Sequence, residues 1–233
     1  MIQIQPCFAV PMAFAKHPAA PALNRDLRKL LLQRETETHR NPRSSMSIEH
    51  GLFESDFNVF SWQDRPIVEL RNFCWAALSE LIGRLNGLSQ AELQRIQIRS
   101  HTWFHITRKG ASFGMHNHPM ASWSGVYCVD PGVDSGVDSG VDSGVDPAQA
   151  DPQHPNSGVL RFHNPMAGNF MFVDSANFRL QPPYGSAPMD LRLESGQLVL
   201  FPSWLMHEVL RFFGTGERIT IAFNCWFERQ QAG

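Results

Sequence analysis

Through the first ninety or so residues the apolar positions recur at helical spacing, and after that they alternate. Leu23, Leu27, Leu30 and Leu31 stand three or four apart with Arg and Asp between them, which predicts an amphipathic helix. A Pro/Ser/Asn-rich stretch follows, including Asn41-Pro42-Arg43-Ser44-Ser45. The next helix is the stronger one. Asp64 stands at its cap position, Pro66 fits its first turn, and Leu70, Phe73, Cys74, Ala77, Leu78 and Leu81 make one face. Ser89-Gln90-Ala91-Glu92 carries the capping-box pattern of a further short helix.

The period then becomes two. From Ile96 to Thr107, one face carries Ile96, Ile98, Phe104 and Ile106, and the other carries Arg99, His101, Trp103, His105 and Thr107. That alternation predicts a strand between two different environments. Further strand-like runs are Ser122 to Val129, Gly158 to His163, Met189 to Leu193, Gln197 to Phe201, His207 to Phe213 and Arg218 to Phe227. Turn signals separate several of them, among them Glu194-Ser195-Gly196 and Gly214-Thr215-Gly216. Short strands at this spacing without intervening helices indicate an all-β sandwich or barrel. The expected fold class is therefore mainly β with N-terminal helices.

Between two of these strands, Asp130 to Pro147 repeats Gly-Val-Asp-Ser and ends in Gly-Val-Asp-Pro. The unit is too short for a calcium-binding β-roll, and the composition is that of a mobile acidic insert at about 130–157. Near the start, the apolar run from Cys7 to Ala15 has no positive charge before it and is interrupted by Pro11. It reads as a first strand or extended segment rather than a cleaved signal.

Composition narrows the function classes. The chain has 233 residues, 42% hydrophobic, which suffices for a real core. Lys plus Arg is 20 against 22 Asp plus Glu, so no basic excess draws it to nucleic acid or an anionic membrane. The four cysteines, Cys7, Cys74, Cys128 and Cys225, form no CxxC pair, which argues against a zinc ribbon or disulfide scaffold. Reduced thiols and a cytoplasmic location are the expectation.

Three of the ten histidines stand out. His116 and His118 are two apart and share a face in an extended chain, and His207 follows the strand-like Gln197 to Phe201 and its Pro202 turn. Imidazoles brought together from two β elements can fill one face of a transition-metal octahedron. A polar strand end with solvated histidines is the bland alternative. Eleven residues after His207 comes Arg218, with Thr220 on the same strand face. The opposite face carries Ile219, Ile221, Phe223, Cys225 and Phe227, which belong in a core. A buried Arg needs an anionic partner, either a bound dicarboxylate or an internal carboxylate such as Glu208 or Glu217.

Four segments carry a resemblance: His116-Asn117-His118-Pro119, Ser122 to Tyr127, Leu200 to His207, and Arg218 to Asn224. Their order and spacing resemble the 2-oxoglutarate/Fe(II) oxygenase family of largely uncharacterised bacterial proteins, within the prolyl-hydroxylase-like superfamily. The resemblance covers roughly Ile96 to Phe227 apart from the insert. It implies a double-stranded β-helix (jelly-roll) core, Fe(II), 2-oxoglutarate as co-substrate, and O2. His116 and His207 match metal ligands, and Arg218 with Thr220 matches the pair that holds the distal carboxylate of 2-oxoglutarate. The wider superfamily has Asp or Glu where this chain has His118. Either His118 is the third ligand or water takes that position. Trp103, Tyr127 and Asn224 are candidates for the pocket wall. Residues 1–94 would form an extended segment and supporting helices packed on a catalytic core at 95–229, the whole making one structural domain.

The expected activity is hydroxylation or other oxidation of an unactivated C–H bond in a small molecule, amino acid or peptide, with release of succinate and CO2. Two other classes stay open. A cupin-like three-histidine metal enzyme would leave Arg218 and Thr220 without a role, and a non-catalytic jelly-roll binding module would explain neither set. The expected partners are the small-molecule or peptide substrate and at most a second copy of the chain, with no nucleic acid and no membrane.

Overall fold

The computed structural model describes residues 2–5, 7–42, 51–132, 153–167, 174–176 and 179–229. The larger sheet contains β1 (Ala13–Lys16), β2 (Leu52–Glu54), β3 (Ile96–Thr107), β5 (Trp123–Asp130), β8 (Gln197–Pro202) and β10 (Arg218–Arg229), in the order β1-β8-β5-β10-β3-β2. The smaller sheet contains β4 (Phe113–His116), β6 (Leu160–Phe162), β7 (Met189–Leu191) and β9 (His207–Val209), in the order β4-β9-β6-β7. Every strand pair in both sheets is antiparallel. Together the two sheets form a jelly roll.

Each face of the larger sheet is covered by something different. Against one face pack α1 (Ala20–Gln33) and α2 (Arg65–Asn86), whose Leu27, Leu31, Leu70 and Leu78 share a core with Phe104, Ile106 and Ile221. The other face meets the smaller sheet, where Val199 and Phe201 pack on Leu160 and Phe162. This two-sided burial is why β3 and β10 alternate between two kinds of side chain rather than between core and water. The short α3 (Gln90–Leu93) starts with the expected capping box: Ser89 and Glu92 each hold the other's backbone N–H. Gly196, at φ +81°, lies where a Cβ would stand 2.2 Å from that of Ala20, so the turn before β8 and the start of α1 dock only around a glycine.

Several expectations need correction. Asp64 is the N-cap residue of α2 but makes no capping bond; its carboxylate instead accepts from Arg34 Nη2 at 2.8 and 3.1 Å, tying α1 to α2. The strand expected over His207 to Phe213 stops at Val209. Beyond it the backbone is held by scattered partners, Leu210 N–H on Val159 O and Phe212 N–H on Ala111 O. β2 and β4, of three and four residues, were not anticipated, being too short to display a period. The acidic insert falls mostly on 133–152, outside the described residues. No helix among the described residues is long and apolar enough to cross a membrane.

Candidate active site

The three singled-out histidines converge between the sheets. β4 and β9 pair with His116 opposite His207, which sets two imidazoles side by side. His118 lies just beyond β4, where its backbone N–H donates to Ser203 O at 2.8 Å and holds it to the loop before β9. One ring nitrogen from each of the three residues lies within 4.8 Å of the others. Nδ1 of His116 faces Gly114 O at 2.7 Å and Nδ1 of His207 faces Leu205 O at 2.8 Å. A carbonyl can only accept, so each Nδ1 carries the proton and each Nε2 keeps a bare lone pair. Burial pushes His207 down to about 3 and His118 down to about 4, with the neighbouring His116 lowering both further. His116 is lowered by the same burial. Three imidazoles that burial holds neutral, with a ring nitrogen of each within 4.8 Å of the others, are a donor set that suits a borderline divalent metal. Fe(II) fits it.

The cavity beside this cluster encloses about 300 Å³. β10 contributes Arg218, Thr220 and Asn224 to its wall, and β3 contributes Trp103. Arg218 is 5% exposed, and burial pushes its guanidinium below the ordinary value, with only the Cys128 thiol beside it acting in the other direction. The carboxylates proposed as internal partners are engaged elsewhere. Glu208 lies 3.0 Å from His163 Nε2, and Glu217 lies 2.6 Å from Arg28 and 3.9 Å from Arg108. Among the described residues no carboxylate pairs with Arg218. Its side chain crosses Gly158, at φ +63°, where a Cβ would stand 3.1 Å from Arg218 Cδ. Among the described residues the charged fork on the cavity wall thus has no carboxylate paired with it, and a fork so placed is the complement of a carboxylate ligand.

The other candidates divide. Trp103 and Asn224 line the cavity, although the Asn224 carbonyl already accepts from Ser124 Oγ at 2.7 Å. Tyr127 does not line it. Its neighbour Val126 faces the cavity, so strand alternation turns Tyr127 toward the helices. There it is fully buried, its hydroxyl donates to Asn24 Oδ1 at 2.8 Å, and its ring sits edge-on to Phe73. Sequence reasoning missed a polar pair on the same cavity, Glu54 and His105, 2.9 Å apart. His105 was visible on the polar face of β3, but nothing in the sequence linked it to a residue some fifty positions earlier.

The profile of a family described as "Putative 2OG-Fe(II) oxygenase" matches residues 101–224. Among solved structures, a prolyl-4-hydroxylase from Pseudomonas putida shares 18% identity over 95% of this chain and 94% of its own, with a TM-score of 0.53. A Trichoplax adhaerens prolyl hydroxylase, solved with a hypoxia-inducible-factor peptide fragment, shares 12% over 92% and 83%, with a TM-score of 0.55. AviO1 from Streptomyces viridochromogenes shares 13% over 96% and 91%, with a TM-score of 0.55. At such identities the likeness is one of fold. No curated protein matches the sequence.

Proposed function

The chain belongs to the 2OG-Fe(II) oxygenase family, and from that membership we propose that it oxidises an unactivated C–H bond of a small molecule, amino acid or peptide. Fe(II), 2-oxoglutarate and O2 are the reagents of the family, and together they supply the oxidising chemistry, with succinate and CO2 released from the co-substrate. His116 and His207 would hold the metal through their bare Nε2 atoms, with the bonds from Nδ1 to Gly114 O and Leu205 O fixing tautomer and ring orientation. His118 would be the third ligand, a reading supported by its nitrogen lying within the same 4.8 Å cluster. Arg218 would take the distal carboxylate of 2-oxoglutarate by its planar fork, with the Thr220 hydroxyl adding a bond. Leu160, Phe201 and Val209 face the cavity and would help to keep water from the reacting centre.

One observation carries this reading: a buried guanidinium without an acidic partner among the described residues shares a cavity with three converging imidazoles. A cupin-like enzyme or a binding module would have no use for it. Mixing the protein with Fe(II) and 2-oxoglutarate in the absence of air tests the proposal. A weak visible charge-transfer band is expected in the wild type and should be lost in His116→Ala and in His207→Ala. Metal uptake with no band would leave the cupin-like alternative standing, and a band retained in either variant would remove that residue from the ligand set.

A further inference from the structure

On the cavity wall β10 sets Arg218, Thr220, Ala222 and Asn224 in one row. At about 3.3 Å per residue, Asn224 stands roughly 20 Å along the strand from Arg218. A five-carbon diacid anchored at Arg218 and Thr220 does not span that length. The far end of the row is therefore left for another molecule. Across from it on β3, Trp103 pairs with Ala222 and His101 pairs with Asn224, so Trp103 and Asn224 are diagonal neighbours. Trp103 lies 5.8 Å from His118 between ring centroids, which puts this end beside the histidine cluster.

Both residues present donors without a partner among the described residues. Trp103 is 6% exposed, and its indole N–H has no hydrogen-bond partner there. Buried donors are nearly always paired, so an acceptor on a bound molecule would complete this wall. Asn224 is oriented by two buried hydroxyls. Ser124 Oγ donates to Asn224 Oδ1 at 2.7 Å. Its one proton is spent there, so it accepts from Ser203 Oγ, 2.9 Å away. The Asn224 oxygen is thus engaged, and the NH2 is the end that it offers to the cavity. Ala222, opposite Trp103, carries only a methyl and leaves room for a group to approach both donors.

Two neutral donors at one place suit an acceptor with two lone pairs. A carbonyl oxygen has them and brings no proton of its own. A hydroxyl would bring a proton that neither the indole N–H nor the Asn224 NH2 can accept. A carboxylate would need a cation, and the one arginine or lysine among the described lining residues is Arg218, at the other end. Building on the oxygenase reading above, we propose that the substrate carries an uncharged carbonyl, as an amide does, held by Trp103 Nε1–H and the Asn224 NH2. That contact sets which carbon of the substrate faces the histidine cluster.

The test uses the full chain loaded with Fe(II) and 2-oxoglutarate in the absence of air. The charge-transfer band reports on the oxygenase reading before any probe is added, and its growth with 2-oxoglutarate gives the co-substrate affinity. Benzamide and benzoate, alike in shape and different in charge, are then titrated into the complex by calorimetry. Benzamide should bind at least ~10-fold tighter. Asn224→Asp keeps the shape and the bond from Ser124 but turns the donor end into an acceptor. It should weaken benzamide by about 10-fold or more. Trp103→Phe keeps a ring, removes the N–H, and should weaken benzamide by roughly 5-fold or more. Both variants should keep the band and the wild-type affinity for 2-oxoglutarate. A band with benzoate bound as tightly as benzamide, with no benzamide binding, or with benzamide affinity unchanged in either variant overturns the carbonyl assignment and leaves the oxygenase reading in place. So does a loss of 2-oxoglutarate affinity in the variants, which would give these donors to the co-substrate. No band in the wild type overturns both. Should either variant lose its fold, the wild-type comparison and the other variant decide.

Discussion

Arg218 and Thr220 ask different things of a ligand. A guanidinium presents a planar fork matched to a carboxylate, and a lysine at the same place offers a point charge at a shorter reach. Arg218→Lys should therefore weaken 2-oxoglutarate binding on the order of 2 to 5 kcal/mol, roughly 30-fold to several thousand-fold, and leave iron binding unchanged. Thr220→Val removes one neutral hydrogen bond and should cost about 1 kcal/mol. Titrating 2-oxoglutarate into the iron-loaded wild type and both variants checks the order. An unchanged dissociation constant in Arg218→Lys would remove the residue from the co-substrate site. At this level the sequence was informative, because His116, His118, His207, Arg218 and Thr220 each stood out by residue type and spacing, and all five face one cavity. Glu54 did not, since its place on the cavity wall depends on the register of β2 on β3, which sets it against His105.

Strand alternation gave the two faces of β3 and β10 correctly, because those strands are twelve residues long and each face has its own chemistry. It failed for Tyr127 on β5, where the cavity face is small and plain, Ser124 and Val126, and the aromatic residue belongs to the other side. A large polar-tipped ring is as much at home in a core as in a pocket when its hydroxyl finds a partner. That partner, Asn24, comes from α1, and Asn24 itself donates to Ser195 Oγ at 2.8 Å. The hydroxyl therefore clasps helix to sheet. Tyr127→Phe strands the Asn24 carbonyl in a buried place and should cost about 1–3 kcal/mol of stability. A denaturant titration would read that loss, and 2-oxoglutarate affinity should stay at the wild-type value. A weakened co-substrate with unchanged stability would return Tyr127 to the pocket.

If 2-oxoglutarate and a metal complete the site between the two sheets, as proposed, the stability of the whole molecule depends on them. Without co-substrate, the Arg218 guanidinium is buried with no anionic partner among the described residues, and burying an uncompensated charge opposes folding. A ligand that binds the native state alone stabilises it by RT ln(1 + [L]/Kd), about 2.7 kcal/mol at a hundredfold excess over Kd. For a chain of this size each kcal/mol raises Tm by about 2–4 °C, so Mn(II) as an inert metal with 2-oxoglutarate should raise the melting temperature by roughly 5–11 °C. Arg218→Met keeps much of the apolar stem and removes the charge. Its ligand-free form should melt at or above the wild-type temperature, because replacing a poorly compensated buried charge by an apolar side chain is often neutral or stabilising. Its increment from 2-oxoglutarate should vanish, and that from Mn(II) should remain. A structural salt bridge at Arg218 demands the opposite: a lowered melting temperature in the ligand-free variant, with the 2-oxoglutarate increment intact. Thermal scans of the two proteins, with and without each ligand, separate the cases by the sign of the change.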